Sequence, residues 1–385
     1  MKSDYDVLGN HIRLIDTRNT DSITDRVLGI NIDKFFMPSV ANVIGTDLSK
    51  YKLITKGKFA CNPMHVGRDE RLPVALYEED EPAIVSPAYF MFEIIDGSVL
   101  DENYLMMWLR RPEFDRICWL HTDGSVRGGI TWDDICRLEL PVPPIDEQRE
   151  IVRSYKAITE RIALKKQIND NLVESLSAVY KELFSDAETQ YAKVPLQKIC
   201  SKIGSGATPK GGKTAYIDDG ISLIRSTNVF DFRFEYSDLA YINQNQADAL
   251  ANVTIEPNDV LFNITGVSVA RCCMVPDDVL PARVNQHVMI VRPIKGEKMS
   301  YYIMFTLCSA DNKAKLLGIG QSGSTREAIN KQELESFKIP LPDDNAINKF
   351  GEAAKRVYEH IHCNVKEIHA LEEMKTVLLA QLSSR

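Results

Sequence analysis

The apolar residues between about Asp146 and Phe184 recur in alternating steps of four and three: Ile151, Tyr155, Ile158, Ile162, then Leu172, Leu176, Val179 and Leu183. This is the a/d seam of one long helix packed along another, with Lys165 and Asn169 filling two of its seats with polar groups. At ~1.5 Å per residue the helix spans roughly 55–60 Å, more than one globular domain needs, so the pattern predicts a partner helix. A shift of 199 residues supplies it: Phe350, Ala354, Val357, Ile361, Asn364, Ile368, Leu371, Lys375, Leu378 and Leu382 keep the same register. Buried polar seats in such a seam cost stability but set register and orientation, so Lys165, Asn169, Asn364 and Lys375 are expected to fix how the two helices align.

The same offset joins Gly124-Ser125-Val126-Arg127 to Gly323-Ser324-Thr325-Arg326, and Leu140-Pro141-Val142-Pro143 to Ile339-Pro340-Leu341-Pro342. The chain is therefore a tandem duplication of a globular unit followed by a long helix. The expected boundaries are 1–143 for the first unit, 144–186 for the central helix and 187–193 for a linker. The second unit then takes 194–342 and the C-terminal helix 343–385.

Within each unit the pattern is mixed α/β. Strands are expected at 27–32, 58–61, 84–85, 89–94 and 138–140, then at 221–224, 260–264 and 288–291. A helix is expected over 102–109, ended or kinked at Arg110-Arg111-Pro112, and its counterpart over about 300–309. Thr131 reads as a helix N-cap.

Composition narrows the classes. Hydrophobic residues make up 44% and charged residues 26%, as in a water-soluble protein, and no apolar run nears 18 residues. The polar start and eight cysteines without repeat-matched spacing suit a reducing, cytoplasmic setting, with neither a disulfide framework nor a zinc site. The net charge of −8 sits mainly in residues 1–143, where 16 basic face 23 acidic residues, against 16 and 15 in 195–342. Runs such as Glu78-Glu79-Asp80-Glu81 are expected to be solvated. Nucleic acid can bind such a chain only where basic residues gather on one side or partners supply charge.

Four motifs suggest chemistry and each fails on inspection. The run Gly204 to Thr214 ends like a phosphate-binding loop, but Ala207 holds the position of its opening glycine and Pro209 removes a needed N–H. Gly318-Ile319-Gly320-Gln321-Ser322-Gly323 matches a dinucleotide fingerprint by letter yet follows a helical stretch, not a strand. Asn62-Pro63-Met64-His65 lacks the second proline and the aromatic of the Asn-Pro-Pro-Tyr motif of amino-methyltransferases. His360, His362, Cys363 and His369 cluster in sequence, but three of them point different ways from a helix, so metal is not expected. No catalytic triad or paired carboxylate stands out. The chain reads as a binding scaffold.

The layout resembles the specificity subunits of type I restriction–modification systems. Pro141-Val142-Pro143-Pro144-Ile145-Asp146-Glu147-Gln148-Arg149-Glu150-Ile151 is similar to that family's approach to its central helix. Ser205-Gly206-Ala207-Thr208-Pro209 is similar to its S-G-x-T-P opening, and Pro257-Asn258-Asp259-Val260-Leu261 to its G-D-V-L strand, with Asn258 where glycine is usual. The second helix departs: Asp343-Asp344-Asn345-Ala346-Ile347 lacks Glu-Gln.

The resemblance implies two tandem mixed α/β target recognition domains joined by two long helices in an antiparallel coiled coil. Each domain would read one half of a split sequence in double-stranded DNA, and the helices would hold the halves apart. Two methyltransferase subunits would dock, and nuclease–translocase restriction subunits can join. It implies no catalysis and no cofactor in this chain, with S-adenosylmethionine in the methyltransferase partner and ATP with Mg in a restriction partner. Because the loops of the units differ, the target is expected to be asymmetric. A scaffold with two ligand-binding domains on a coiled-coil stalk is the competing reading.

Loop position and side-chain chemistry select the expected DNA contacts. They are His65, Arg68, Arg71, Ser125 and Arg127 in the first unit. In the second they are Ser205, Thr208, Lys210, Lys213, Arg225, Asn228, Asn263, Arg271, Gln286, Ser324 and Arg326.

Overall fold

The computed structural model describes residues 5–384 apart from 42, 65, 123–127, 210 and 322–326, with the backbone alone at 213, 383 and 384. It divides into two compact units: residues 1–164 with 367–385, and residues 165–366. Both long helices, Ile145–Phe184 and Asp344–Ser384, are continuous, and each contributes to both units rather than standing as a separate element.

In the first unit, strands Ile12–Ile15, Phe90–Ile94, Phe59–Cys61 and Val74–Leu76 form an antiparallel sheet in that order. A second, mixed sheet runs Phe36–Pro38, Val27–Ile30, Ala83–Val85, Lys52–Ile54, with Val27–Ile30 parallel to Ala83–Val85. In the second unit, Cys200–Ser205, Val288–Pro293, Val260–Asn263 and Cys272–Met274 repeat the antiparallel order. Ala240–Ile242, Ile221–Ile224 and Ala282–Val284 repeat the mixed sheet, again with its parallel pair.

The helix after the last core strand is also repeated. Glu102–Leu109 is capped by the Asp101 carboxylate, which accepts from the N–H groups of Asn103 and Tyr104. Its counterpart is Glu297–Cys308. The buried Tyr104 and Tyr302 hydroxyls donate to the carbonyls of Pro141 and Pro340, an equivalent bond in each unit. The helix ends at Leu109, as expected at Arg110-Arg111-Pro112, and Arg111 is extended. Pro112 takes the first position of a new helix, Pro112–Leu120, where its missing N–H costs nothing.

Two departures from the family pattern have local explanations. Asn258 adopts φ +69°, a left-handed conformation that asparagine tolerates better than most residues, so it can stand in for glycine. Gln148 is fully buried and ties down the start of the central helix. Its carboxamide donates to the carbonyls of Val99 and Pro143 at 2.8 and 2.7 Å and accepts from Asp101 N–H at 2.9 Å. The residue 199 positions on is Ile347, only 4% exposed, so the second unit fills the same place with hydrocarbon. Gln148→Ala is expected to remove the partner of three backbone groups, the Pro143 carbonyl in a buried setting, and to destabilise the first unit by about 3 kcal/mol. Calorimetry of the purified chain checks it, and a loss under about 1 kcal/mol would contradict the staple.

Within the first unit the paired helices run antiparallel: Val152 and Tyr155 pack near Leu378 and Leu382, and Ile158 and Ile162 near Ile368 and Leu371. Arg161 pairs with Glu367 at 2.5 Å. Within the second unit Leu176 and Phe184 share a core with Phe350 and Ala354, and Val357 packs against it. The polar seats meet there. Lys165 Nζ donates to Asn364 Oδ1 at 2.8 Å, and Asn364 Nδ2 donates to Asn169 Oδ1 at 2.7 Å.

Ile151, Leu172, Leu183, Ile361 and Leu378 are half-buried. Val179 is 38% exposed, a correction to the seam. Tyr180 takes its place, its ring 5.4 Å from Phe350, and Phe184 is more buried than Leu183. An α-helix of 3.6 residues per turn drifts by ~20° per heptad from a 3.5 repeat, so the buried face moves one residue along by the helix end.

Candidate nucleic-acid interface

At the loop end of the second unit, four side chains form one hydrogen-bonded row. Thr208, exposed, donates its hydroxyl to Gln286 Oε1 at 2.5 Å. The Gln286 amide meets His287 Nε2 at 2.9 Å, and His287 Nδ1 meets the Thr265 hydroxyl at 2.7 Å. With Gln286 donating, the ring proton sits on Nδ1 and is shared with Thr265. Asn285, buried beneath them, fixes the row by accepting His287 N–H at 2.9 Å. This is a surface of amide, hydroxyl and imidazole groups, the kinds that read base edges.

The loop after Ser205 reaches this row because of Gly206. Its N–H donates to Asn285 at 3.1 Å, and a Cβ there would lie 1.7 Å from the Val284 carbonyl oxygen. Only glycine fits, which accounts for that residue in the S-G-x-T-P motif. Ser205 ends the strand paired to Met289 and lines an open polar groove of about 560 Å³ with Lys202, Asn252 and Lys331.

The remaining expected contacts divide. Arg271 lies over the Phe230 ring at 4.6 Å, and Arg225 over Tyr216 at 5.7 Å while its guanidinium donates to the Asp238 carbonyl. Both are half-buried, and the Nε of Arg225 is itself buried without a hydrogen-bond partner. Asn228 and Asn263 are fully buried and are corrections. Asn228 bridges Arg225 N–H to the carbonyls of Glu235 and Ser237, and Asn263 donates to Ser226 and Val229. Side-chain amides substitute for backbone partners where strands end, so these asparagines shape loops from inside.

In the first unit Arg68 is exposed and paired with Asp69 at 2.6 Å, and Arg71 is paired with Asp33 at 3.1 Å. The adjacent Lys34 is buried against Asp115 at 2.8 Å, and desolvation holds its ammonium below the usual lysine range. Such exposed arginine pairs are weak and can be exchanged for phosphate or guanine. His65, Ser125, Arg127, Lys210, Ser324 and Arg326 lie outside the described residues, and Lys213 sits in the turn Gly212–Ala215.

The two units build this end alike. Gly67 N–H donates to the Gly128 carbonyl at 3.0 Å, and Gly266 N–H to the Glu327 carbonyl at 2.9 Å, the same bond displaced by 199 residues. The family described as the type I restriction modification DNA specificity domain matches residues 190–373, the whole of this second unit's globular part. A relative named as the specificity subunit of the type I restriction enzyme MjaX, from Methanocaldococcus jannaschii, is 20% identical over 98% of this chain and 87% of its own length. The crystal structure of a type I restriction–modification S subunit from M. genitalium shares the fold, with a TM-score of 0.56 and 14% identity, covering 98% of this chain and 95% of that one. By matched domain and by fold the chain resembles the type I restriction–modification specificity subunits.

The specificity subunits it resembles are non-catalytic. Burial pushes the thiols of Cys61 and Cys200 up to about 12, far from a reactive thiolate. Among the described residues no three His, Cys, Asp or Glu side chains gather to hold a metal ion, and no helix is long and apolar enough to cross a membrane. Sequence reasoning overlooked Thr265 and His287. Their signal was positional: each flanks a residue or strand end already chosen, Asn263 and Gln286.

Proposed function

We propose that this chain reads a split, asymmetric sequence in double-stranded DNA. Each globular unit reads one half, and two methyltransferase subunits carry out the modification with their own S-adenosylmethionine. A nuclease–translocase subunit using ATP and Mg would convert the same complex to restriction. The observation that carries this reading is the repeated loop platform with different chemistry in its two copies. Arginines paired to carboxylates stand in the first unit, and the Thr208–Gln286–His287–Thr265 row stands in the second. One backbone frame presenting two sets of polar groups suits two unlike half-sites. The chain's charge of −8 is then reconciled with a polyanionic ligand by partner subunits supplying phosphate contacts.

The test is selection of bound duplexes from a randomised pool by the co-purified complex of this chain and its methyltransferase. Enrichment of two unlike short motifs at one constant spacing supports the reading. Enrichment of a single uninterrupted motif, or of none, sinks it and favours the protein-interaction scaffold.

A further inference from the structure

Val267 stands at the tip of the loop between Ile264 and Ala270 with 98% of its surface exposed. Single exposed valines are ordinary, so exposure alone means little. This one is held out by design of the loop. Ile264 N–H donates to His287 at 3.0 Å, Gly266 N–H to Glu327 at 2.9 Å, Val269 N–H to Gly266 at 2.9 Å, and Ala270 N–H to Asn263 at 2.8 Å. Gly266 turns the chain with φ +68°, and the other apolar residues of the loop, Ile264, Val269 and Ala270, are all buried beneath it. The loop has an inside, and Val267 alone is kept off it.

Two further observations give the position a purpose. It is two residues from Thr265, the end of the polar row that includes Gln286 and His287. Its counterpart in the first unit, through the shared Gly67–Gly128 and Gly266–Glu327 bonds, is Arg68. One loop position therefore presents a guanidinium in one unit and an isopropyl group in the other. A guanidinium suits guanine, whereas an apolar side chain in the major groove suits the thymine 5-methyl group.

We propose that Val267 is a specificity-determining residue that reads thymine through its methyl group in the second half-site. Gln286, joined to Thr265 through His287, would read an adenine edge in the same half-site. This rests on the DNA-reading function proposed above.

The experiment uses the intact complex of this chain with its methyltransferase and the duplex target that the complex selects. Thymines of the second half-site are replaced one at a time by deoxyuridine, which lacks only the methyl group. One replacement is expected to weaken binding about fourfold, the effect of one buried methyl-sized group. Val267→Ala is expected to weaken the unmodified target similarly, to bind the thymine and deoxyuridine duplexes equally, and to leave the first half-site preference unchanged. A second half-site with no thymine, or no sensitivity to any deoxyuridine, would overturn the assignment. So would a Val267→Ala loss that is uniform across sequences and independent of the methyl, which would mark a wedge between base steps instead. A wild-type complex that selects no split motif fails earlier, and overturns the DNA-reading function together with this assignment.

Discussion

Arg292→Ala is expected to destabilise the second unit by about 3–5 kcal/mol, because it strands a buried carboxylate. Asp259 is fully buried, and Arg292 grips both its oxygens: Nε to Oδ1 and Nη2 to Oδ2, each at 2.7 Å. The remaining partner of the carboxylate is Glu256 N–H at 2.8 Å. Arg292 also reaches Glu256 and the Thr254 carbonyl, so the pair fastens the turn before strand Val260–Asn263 to strand Val288–Pro293. Those strands lead into the His287 and Thr265 ends of the polar row, so the pair serves the candidate interface from behind. For a unit of about 200 residues the loss corresponds to a Tm fall on the order of 10 °C. Replacing both partners with apolar residues, as in Asp259→Leu with Arg292→Met, is expected to recover much of it. Equal, additive losses from the two single changes would contradict the pairing.

Gly206→Val is the second large effect. The new Cβ would meet the Val284 carbonyl oxygen at 1.7 Å, and neither strand nor loop can yield that distance without the other moving. The cost is expected to be on the order of 3 kcal/mol, and the loop carrying Thr208 must leave Gln286. Selection of bound DNA by this variant should retain the first half-site and blur the second. Retention of both half-sites with unchanged stability would show that the loop is not seated by this contact.

Much of the architecture was legible because it is written in periodicity. The heptads predicted both long helices, and the constant offset predicted the repeat that the sheets and the Tyr104 and Tyr302 bonds display. The exception, Val179, lies where helical drift accumulates to a full residue. Helices Pro112–Leu120 and Ala310–Gln321 escaped notice because the first is introduced by a proline that resembles a terminator and the second has little apolar periodicity. The expected boundaries separated helices from globular units, whereas tertiary packing joins half of each helix to each unit.

The interface was harder to read for a different reason. Residue type says what a side chain can bind but not which way it faces. Asn228 and Asn263 were chosen as amides suited to adenine, yet both spend their hydrogen bonds on strand ends inside the unit. Val267 was passed over because valine reads as core, and only its 98% exposure reveals that the loop turns it outward. Gly206 and Asn258 were noted as motif letters. Their meaning, a backbone contact too close for Cβ and a left-handed turn, needs coordinates.

The most direct test of the central claim is to map methylated bases across the genome of a host expressing a type I methyltransferase subunit from the same source, with and without this chain. The account predicts a new split motif with unlike halves at constant spacing, present only when the chain is present. Methylation that is absent, or the same without the chain, would contradict it.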